Sequence, residues 1–218
     1  LPNRAALVGT NAGTGGNFTI NGAPKDANST PVYYYAEPAT FDGTNDYLTR
    51  GADLTGIADG KAGTISFWLR LDGGDGANLG VLTTVAAVSH FYVMRMSTNK
   101  VRFVGQNASA STILLMNTSA SYTASPVWVH VLASWDLSTG AGQLYVNNSS
   151  DLAGGATLTN DTIDYAGMAG ANWGVGANTD ASNKLNGAIA DLWFNTTYLD
   201  ISNSANRAKF IDQTTLRP

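Results

Sequence analysis

The chain has 218 residues, enough for one large core, and single all-β sandwiches commonly reach roughly this length. Charged residues make up 13% of it, and the formal net charge is -4. Nucleic acids and anionic membranes are bound by clustered Lys and Arg, and the 12 such residues here are scattered, so the composition argues against both partners. No run of about 18 apolar residues is present, so the sequence predicts no membrane insertion.

The sequence contains no cysteine, which excludes disulfides, thiolate metal sites and cysteine nucleophiles. It begins at Leu1 without a charged segment followed by an apolar segment, so no signal peptide is visible. Asn-x-Ser/Thr triplets are frequent, and some lie inside predicted strands, where a glycan would clash with the core. We interpret these triplets as a by-product of the Asn-, Ser- and Thr-rich composition.

The first 31 residues are rich in glycine and predict a lead-in with at most two short strands, at 5–8 and 17–21. Three adjacent tyrosines follow. On a strand, Tyr33 and Tyr35 face one side of the sheet and Tyr34 faces the other. This alternation favours core on one side and rim on the other, whereas the enrichment of Tyr at interfaces favours a subunit contact through the same three residues.

The stretch FDGTNDYL, from Phe41 to Leu48, predicts a tight turn between two strands, because turn-forming residues separate aromatic and aliphatic ones. After a loop rich in Gly and Asp, the stretch TISFWLRL alternates strictly. Its apolar side chains lie on one face, and Ser66, Trp68 and Arg70 lie on the other. This pattern predicts a half-buried strand of an antiparallel sheet.

The rest of the chain continues with strands separated by short polar turns, and no helical period is visible before the tail. The stretch VWVHVLASWD, at 127–136, carries apolar side chains on both faces and therefore predicts a central strand. Ser202 predicts the N-cap of a short helix over 204–212. The other predicted strands are 79–88, 91–97, 100–105, 112–117, 143–146, 171–177 and 185–195.

The order of these stretches resembles that of the laminin G-like or concanavalin A-like lectin/glucanase superfamily. Asn147-Asn148 stands where family members usually have Asn-Gly, a change that the turn tolerates because Asn adopts positive φ. The glycine-rich lead-in also resembles segments that precede such domains in structural proteins of tailed bacteriophages. The shared series, over about residues 40 to 212, is FDGTNDYL, TISFWLRL, VWVHVLASWD, GQLYVNN, NWGVGA and LNGAIADLWFN.

The resemblance implies an all-β fold, a two-sheet antiparallel jelly-roll sandwich of the concanavalin A-like type with a short C-terminal helix. We interpret the chain as a single domain over 1–218. Its parts are the glycine-rich lead-in at 1–31, the sandwich at 32–200, and the short helix and tail at 201–218.

The catalytic residues of enzymes on this fold are missing from the sequence. Glycoside hydrolysis needs two carboxyl groups, and related glucanases use two glutamates on one strand, whereas this chain has one glutamate, Glu37, followed by proline. No predicted strand carries an Asp-x-Asp pair. We interpret His130 as packed within a central strand and His90 as a rim residue. No G-x-S-x-G turn supports a Ser-His-Asp triad, although the sequence does not exclude one, and the chain is predicted not to be an enzyme.

The resemblance also implies one structural Ca²⁺, held by an aspartate of the final strand and by carbonyl oxygens of early turns. Carried over to this sequence, the matching positions are Asp191 and Gly43. Hard oxygen ligands suit Ca²⁺. The alternative is a solvent-facing Asp191 on an edge strand.

A carbohydrate site would need an aromatic platform beside amides or carboxylates. Four aromatic residues on predicted strands are candidates for this platform. The alternative for each is a place in the core or at its rim, because aromatic side chains carry much of the buried area of a sandwich. The candidates are Trp128, Trp135, Tyr145 and Trp173.

These observations predict a non-catalytic structural or adhesion module of a phage virion or a prokaryotic surface assembly. It would act through protein–protein contacts with copies of itself or with other virion or surface proteins. The alternative is a lectin-like module that recognises a host surface glycan, and a polysaccharide-cleaving enzyme ranks third. The location expected for the first two is a virion, the extracellular space or a cell surface.

Overall fold

The computed structural model describes residues 19–21, 25–26, 38–51, 54, 56–84, 90–165 and 173–212. Within them the chain forms strands and one short helix, α1, at Ser204–Arg207. The strands are β1 (Thr19–Asn21), β2 (Lys25–Asp26), β3 (Ala39–Asp42), β4 (Tyr47–Arg50), β5 (Ala62–Leu71), β6 (Leu79–Thr83), β7 (Phe91–Arg95), β8 (Val101–Gln106), β9 (Thr112–Asn117), β10 (Ser125–Asp136), β11 (Ala141–Val146), β12 (Ser149–Ser150), β13 (Thr157–Leu158), β14 (Trp173–Val175) and β15 (Asn186–Asn195).

Some predicted features lie outside the described residues. They are the strand at 5–8, the second half of the strand at 79–88, Glu37, and the tyrosines Tyr33, Tyr34 and Tyr35. The interface predicted at these tyrosines therefore stays a prediction.

The strands form two sheets. One has eight strands, in the order β1-β4-β14-β6-β7-β8-β9-β13, and the other has seven, in the order β12-β11-β10-β5-β15-β3-β2. The pairings between these strands are antiparallel throughout. The predicted two-sheet antiparallel sandwich is confirmed, and β10 is central, between β11 and β5.

The hydrophobic core lies between the two sheets. It draws on the inward-facing residues of both, such as Phe67 of β5 and Phe103 of β8, which have no exposed surface. Fully burying one such aromatic or aliphatic side chain stabilises the fold by about 1.5–3 kcal/mol. The apolar alternation seen in the sequence is therefore the feature that brings the two sheets together.

The FDGTNDYL turn joins the two sheets rather than two neighbours of one hairpin. The strand before it, β3, pairs with β15 in the seven-stranded sheet, and the strand after it, β4, pairs with β14 in the eight-stranded sheet. Asp42 closes the turn, because its Oδ1 accepts hydrogen bonds from the N–H groups of Thr44 (2.7 Å) and Asn45 (3.1 Å). Gly43 supplies the positive φ, at 75°.

The hairpin between β11 and β12 turns at Asn147 and Asn148. Both adopt positive φ, at 47° and 64°, as the two-residue turn requires. The prediction that an Asn-Asn pair serves this turn is confirmed. The Asn147 side chain also fixes the turn to the sheet, because its Oδ1 accepts a hydrogen bond of 2.8 Å from the N–H of His130.

The strand β5 is buried on both faces, so the prediction of a half-buried strand was wrong. Ser66 and Trp68, on the face turned away from the core, have almost no exposed surface. A second, small cluster covers them: Trp68 packs with Ala190 and with Ile211 from the end of the chain. Ile211 is far from β5 in the sequence, so the alternation within β5 could not predict this cover.

The helix begins at Ser204 as predicted, but it is shorter, and its N-cap lies one residue later than predicted. Asn203, and not Ser202, is the N-cap, because its side chain accepts a hydrogen bond of 2.9 Å from the N–H of Ala205. The helix α1 ends at Arg207.

No helix among the described residues combines the length and the hydrophobicity that spanning a bilayer would need.

Candidate functional site

The side of the seven-stranded sheet that faces away from the core carries polar and aromatic residues, and we call it the outer face. The pairing of β10 with β5 brings these residues together: His130 of β10 lies opposite Trp68 of β5, and Ser134 of β10 lies opposite Thr64 of β5. Residues 196–212 cross this face after β15, and we call them the C-terminal strap. The strap divides the outer face into a closed part and an open part.

The closed part lies where the strap satisfies the polar side chains of the sheet. The N–H of Leu199 lies 3.1 Å from both Thr64 Oγ1 and Ser134 Oγ, which accept its hydrogen. Gln143 Oε1 accepts from the N–H of Ile201 at 2.7 Å. Because these donors and acceptors are paired within the chain, this part of the face has none to offer a ligand.

Tyr145, one of the predicted carbohydrate-binding residues, lies beneath the strap. The Cζ atom of Arg207 is 4.5 Å from the centroid of its ring, a cation–π contact. The same guanidinium donates hydrogen bonds to Asn148 Oδ1 (2.6 Å) and to the carbonyl oxygen of Ile201 (2.7 Å). The structure thus uses Tyr145 to hold the strap.

A Ser–His pair lies at the centre of the outer face, but it is enclosed. His130 Nε2 is 2.8 Å from Ser66 Oγ, and His130 is 1% exposed. Burial lowers the pKa of His130 to about 4, so the ring is neutral near pH 7. The prediction of a packed structural histidine is confirmed. A nucleophile needs access to its substrate, and this pair has none.

His90 is buried, so its prediction as a rim residue was wrong. It is 4% exposed, and its Nδ1 lies 3.3 Å from Asp164 Oδ2 and 3.3 Å from the carbonyl oxygen of Asn107. The loops that follow β8 and precede β14 supply these two partners. The sequence around His90 could not show this cover, because it comes from residues far along the chain.

Trp135 and Trp173 lie in the core and have no exposed surface, which corrects their prediction as platforms for a sugar. The Trp135 Nε1 donates a hydrogen bond of 2.8 Å to the hydroxyl of Tyr165, and both tryptophans pack against Phe91. A ring that is enclosed by side chains presents no face to a ligand. For these two residues, the alternative of a place in the core is the correct one.

An aromatic residue that the sequence analysis did not select, Trp193, reaches the surface through a β-bulge in β15. Ala190 pairs with Trp68, but the next pair is Trp193 with Ser66, so β15 contains one extra residue. Asp191 makes the bulge with a φ of 48°. The shift turns Trp193 outward, where it is 41% exposed. Strict alternation along β15 would instead place it in the core.

Trp193 lies against Phe210 of the strap, with ring centroids 5.2 Å apart and an interplanar angle of 51°. We call these two residues the Trp193 patch. Phe210 also lines a surface groove of about 580 Å³. The lining combines apolar, hydroxyl and charged groups, as in sites for polar ligands. The other described lining residues are Ser204, Ala205, Ala208, Lys209, Ile211 and Asp212.

Trp128, the fourth residue predicted to bind carbohydrate, lies on the outer face near the N-terminal end of β10 and is partly exposed. The Cζ atom of Arg70 is 5.3 Å from the centroid of its ring. Arg70 in turn donates two hydrogen bonds of 2.8 Å to the carboxylate of Asp72. We call these three residues the Trp128 patch. It places an aromatic ring beside a guanidinium and a carboxylate, the combination that was expected of a carbohydrate site.

The two residues predicted to hold calcium are apart. Gly43 packs against Asn186, at the start of β15, whereas Asp191 lies five residues further along that strand, about 16 Å away. One Ca²⁺ binds its ligands at roughly 2.3–2.6 Å, so this pair cannot share an ion, which corrects the assignment. Among the described residues, no group of three or more His, Asp or Glu side chains could hold a metal. Calcium binding itself stays a prediction.

A buried cation, Arg95, organises the loop that follows β5. Its side chain is 0% exposed, and it donates hydrogen bonds to the carbonyl oxygen of Gly74 and to Asn99 Oδ1. The same Asn99 Oδ1 accepts from the N–H of Gly76 at 3.0 Å. Burial lowers the pKa of Arg95, and the charge of Asp75 opposes this effect. The guanidinium therefore joins the loop at 72–78 to the turn after β7.

Comparison with known protein families gives one match. The family model described as the concanavalin A-like lectin/glucanases superfamily matches residues 42–200. No curated protein sequence matches the chain.

Solved structures with a similar fold include the botulinum neurotoxin serotype G binding domain, with a TM-score of 0.60 and 13% identity, over 91% of this chain and 47% of that one. The botulinum neurotoxin serotype D ligand binding domain, in complex with N-acetylneuraminic acid, has a TM-score of 0.56 and 12% identity, over 88% and 46%. The heptameric SAP-like pentraxin of Limulus polyphemus has a TM-score of 0.54 and 12% identity, over 91% and 85%. The chain spans about half the length of the neurotoxin domains.

Proposed function

Because the chain belongs to the concanavalin A-like lectin/glucanase superfamily, we propose that it is a non-catalytic module that binds carbohydrate at the Trp193 patch. The observation that carries the proposal is the 41% exposure of Trp193. A large aromatic ring at the surface offers an apolar face to the C–H groups of a sugar, and polar groups next to it fix the orientation. The groove beside Phe210 supplies such groups through Ser204 and Asp212.

The way in which Trp193 reaches the surface supports a role in binding. Asp191 adopts a positive φ, which costs a residue other than glycine about 1 kcal/mol or more. The same sequence with regular alternation would bury the indole in the core. Local strain that brings an apolar side chain to solvent is typical of functional positions, since folding stability alone does not favour it.

The structural relatives support carbohydrate as the ligand class. The serotype D neurotoxin domain was solved with N-acetylneuraminic acid bound. At 12% identity this similarity concerns the fold alone. The ligand of this chain is therefore inferred from the residues on its own surface. The Trp193 patch and the Trp128 patch both lie on the outer face.

Two features support a role without catalysis. The Ser66–His130 pair is enclosed and neutral near pH 7, so it cannot activate a nucleophile for an external substrate. The exposed carboxylate of the Trp128 patch, Asp72, is paired with Arg70. Glycoside hydrolysis would need two carboxyl groups placed on either side of a bond.

A place in a virion or a surface assembly, with contacts to copies of the chain or to other surface proteins, stays a prediction.

The proposal is tested by binding of the purified protein to a glycan array and to four soluble polymers: β-glucan, xylan, galactomannan and a sialylated glycan. Trp193→Ala should weaken binding about tenfold or more, which corresponds to about 1.4 kcal/mol. Val127→Ala is the matched control, because Val127 is 66% exposed and lies outside the Trp193 patch. Absence of binding at millimolar sugar, or equal binding by Trp193→Ala and the parent protein, would contradict the proposal.

A further inference from the structure

The Trp193 patch and the Trp128 patch lie on the same face but on opposite sides of β5. Trp193 pairs with Ser66 through β15, whereas Trp128 lies over Arg70 through β10. Ser66 and Arg70 are four residues apart on β5, which is about 13 Å along the strand. Two strand spacings add about 10 Å sideways, so the backbone positions of Trp193 and Trp128 are roughly 16 Å apart. This separation is longer than a single pyranose ring.

The strap lies close to both patches. Ile211 belongs to the small buried cluster with Trp68 and Ala190, and Trp128 packs against this cluster, whereas the adjacent Phe210 packs against Trp193. One short segment of the strap therefore packs near both tryptophans. Two aromatic surfaces on one face suit a ligand that is long enough to contact both.

Each patch offers a different kind of contact. The Trp193 patch combines an exposed ring with the groove, and its polar groups come from the strap. At the Trp128 patch, the Arg70 guanidinium carries two hydrogen bonds from its Nε and Nη2 to Asp72, and both side chains are partly exposed. A bidentate Arg–carboxylate pair holds both groups in one geometry, so each keeps capacity for the hydroxyl groups of a sugar.

We infer that the outer face binds an elongated glycan chain, with the Trp193 patch as one subsite and Trp128, Arg70 and Asp72 as a second subsite. This inference rests on the proposed function, since it extends carbohydrate binding from one aromatic surface to two. Occupying the second subsite is an intramolecular event once the first is filled, so affinity rises with chain length until both are reached.

The experiment measures the affinity of the parent protein for a series of oligosaccharides of one to eight units. The series is prepared from whichever of the four polymers retards the protein most in native affinity electrophoresis. The longest oligosaccharide should bind about tenfold or more tightly than the monosaccharide. Trp128→Ala should reduce the affinity for the longest oligosaccharide to that for the short ones.

Two further variants keep the result interpretable. Arg70→Gln changes a partly exposed side chain, so it should fold normally and show the same selective loss for long ligands. Val127→Ala, next to Trp128, should bind every length as the parent does. Thermal melting of each variant verifies the fold.

The outcomes separate the two proposals. Equal affinity for all lengths, together with sensitivity to Trp193→Ala, would overturn the second subsite and leave the proposed function intact. A chain-length dependence that is unaffected by both Trp128→Ala and Arg70→Gln would also overturn this subsite. If none of the four polymers retards the protein, both proposals fail.

Discussion

Trp193 and Phe194 are adjacent in sequence and lie on opposite faces of the seven-stranded sheet. Trp193 pairs with Ser66 on the outer face, whereas Phe194 pairs with Ile65 and stacks on Phe91 in the core, with ring centroids 5.2 Å apart. The bulge at Asp191 decides which of the two aromatic rings is buried. Because the proposed function depends on this choice, the bulge is the first feature to test.

Asp191→Val should destabilise the protein by about 1–2 kcal/mol, because a β-branched side chain is strained at the φ of 48° that the bulge requires. Urea unfolding, followed by far-UV circular dichroism, measures the loss. Asp191→Asn is the matched control, since Asn tolerates positive φ and has nearly the same shape. If the Val and Asn variants unfold at the same urea concentration, the account of the bulge is wrong.

Stability should fall between pH 6.5 and pH 4 because of His130. Burial lowers its pKa from 6.5 to about 4 in the folded protein, whereas the unfolded chain keeps the ordinary value. The unfolded state therefore binds more protons below pH 6.5, and the free energy of unfolding should decrease by about 3 kcal/mol by pH 4.

Urea unfolding at a series of pH values measures this slope. His130→Gln keeps a polar partner for Ser66 but does not titrate, so its stability should change much less over the same range. The carboxylates with lowered pKa values, such as Asp136 and Asp200, contribute below about pH 4 and do not mask the effect. A slope that is unchanged in His130→Gln would assign the pH dependence to other groups.

Arg95→Met should destabilise the protein by about 2 kcal/mol. The change removes the donors to the Gly74 carbonyl and to Asn99, and a hydrogen bond that involves a charged group contributes about 1.5–3 kcal/mol. Thermal melting measures the loss. Arg102→Met serves as the comparison, because Arg102 is partly exposed and donates to a single side chain, that of Asn117. Equal melting temperatures for the two variants would show that Arg95 does not anchor the loop.

Arg207→Ala should loosen the strap while leaving the core intact. The change removes the contact with Tyr145 and the hydrogen bonds to Asn148 and Ile201. Hydrogen exchange should therefore become faster at 199–212, with little change in the protection of β5 and β10. Arg207→Lys should restore only part of the protection, because Lys has no planar fork. Uniformly faster exchange would indicate global destabilisation instead.

The fold could be predicted from the sequence to the extent that its signals are local. Alternation at 64–71 and at 127–136 identified β5 and the central strand β10, and the two asparagines at 147–148 identified a turn with positive φ. These patterns depend on neighbours in sequence. The burial of the second face of β5 does not, because Ile211 covers it from the other end of the domain.

The candidate site was harder to predict for the same reason. Trp128 could be selected from its sequence, but Trp193 could not, because one extra residue reverses the direction of every later side chain in the strand. His90 was misplaced because its cover comes from Asp164 and Asn107.

The link at Phe41–Leu48 also bears on how the polypeptide assembles during translation. Although β3 and β4 leave the ribosome early, each has one partner among the last strands to be synthesised, β15 for β3 and β14 for β4. Neither can complete its ladder until nearly all of the domain has emerged, so closure of the sandwich should be a late and slow event. Until then, these early strands have exposed edges, and chaperones that shield nascent chains should engage them first.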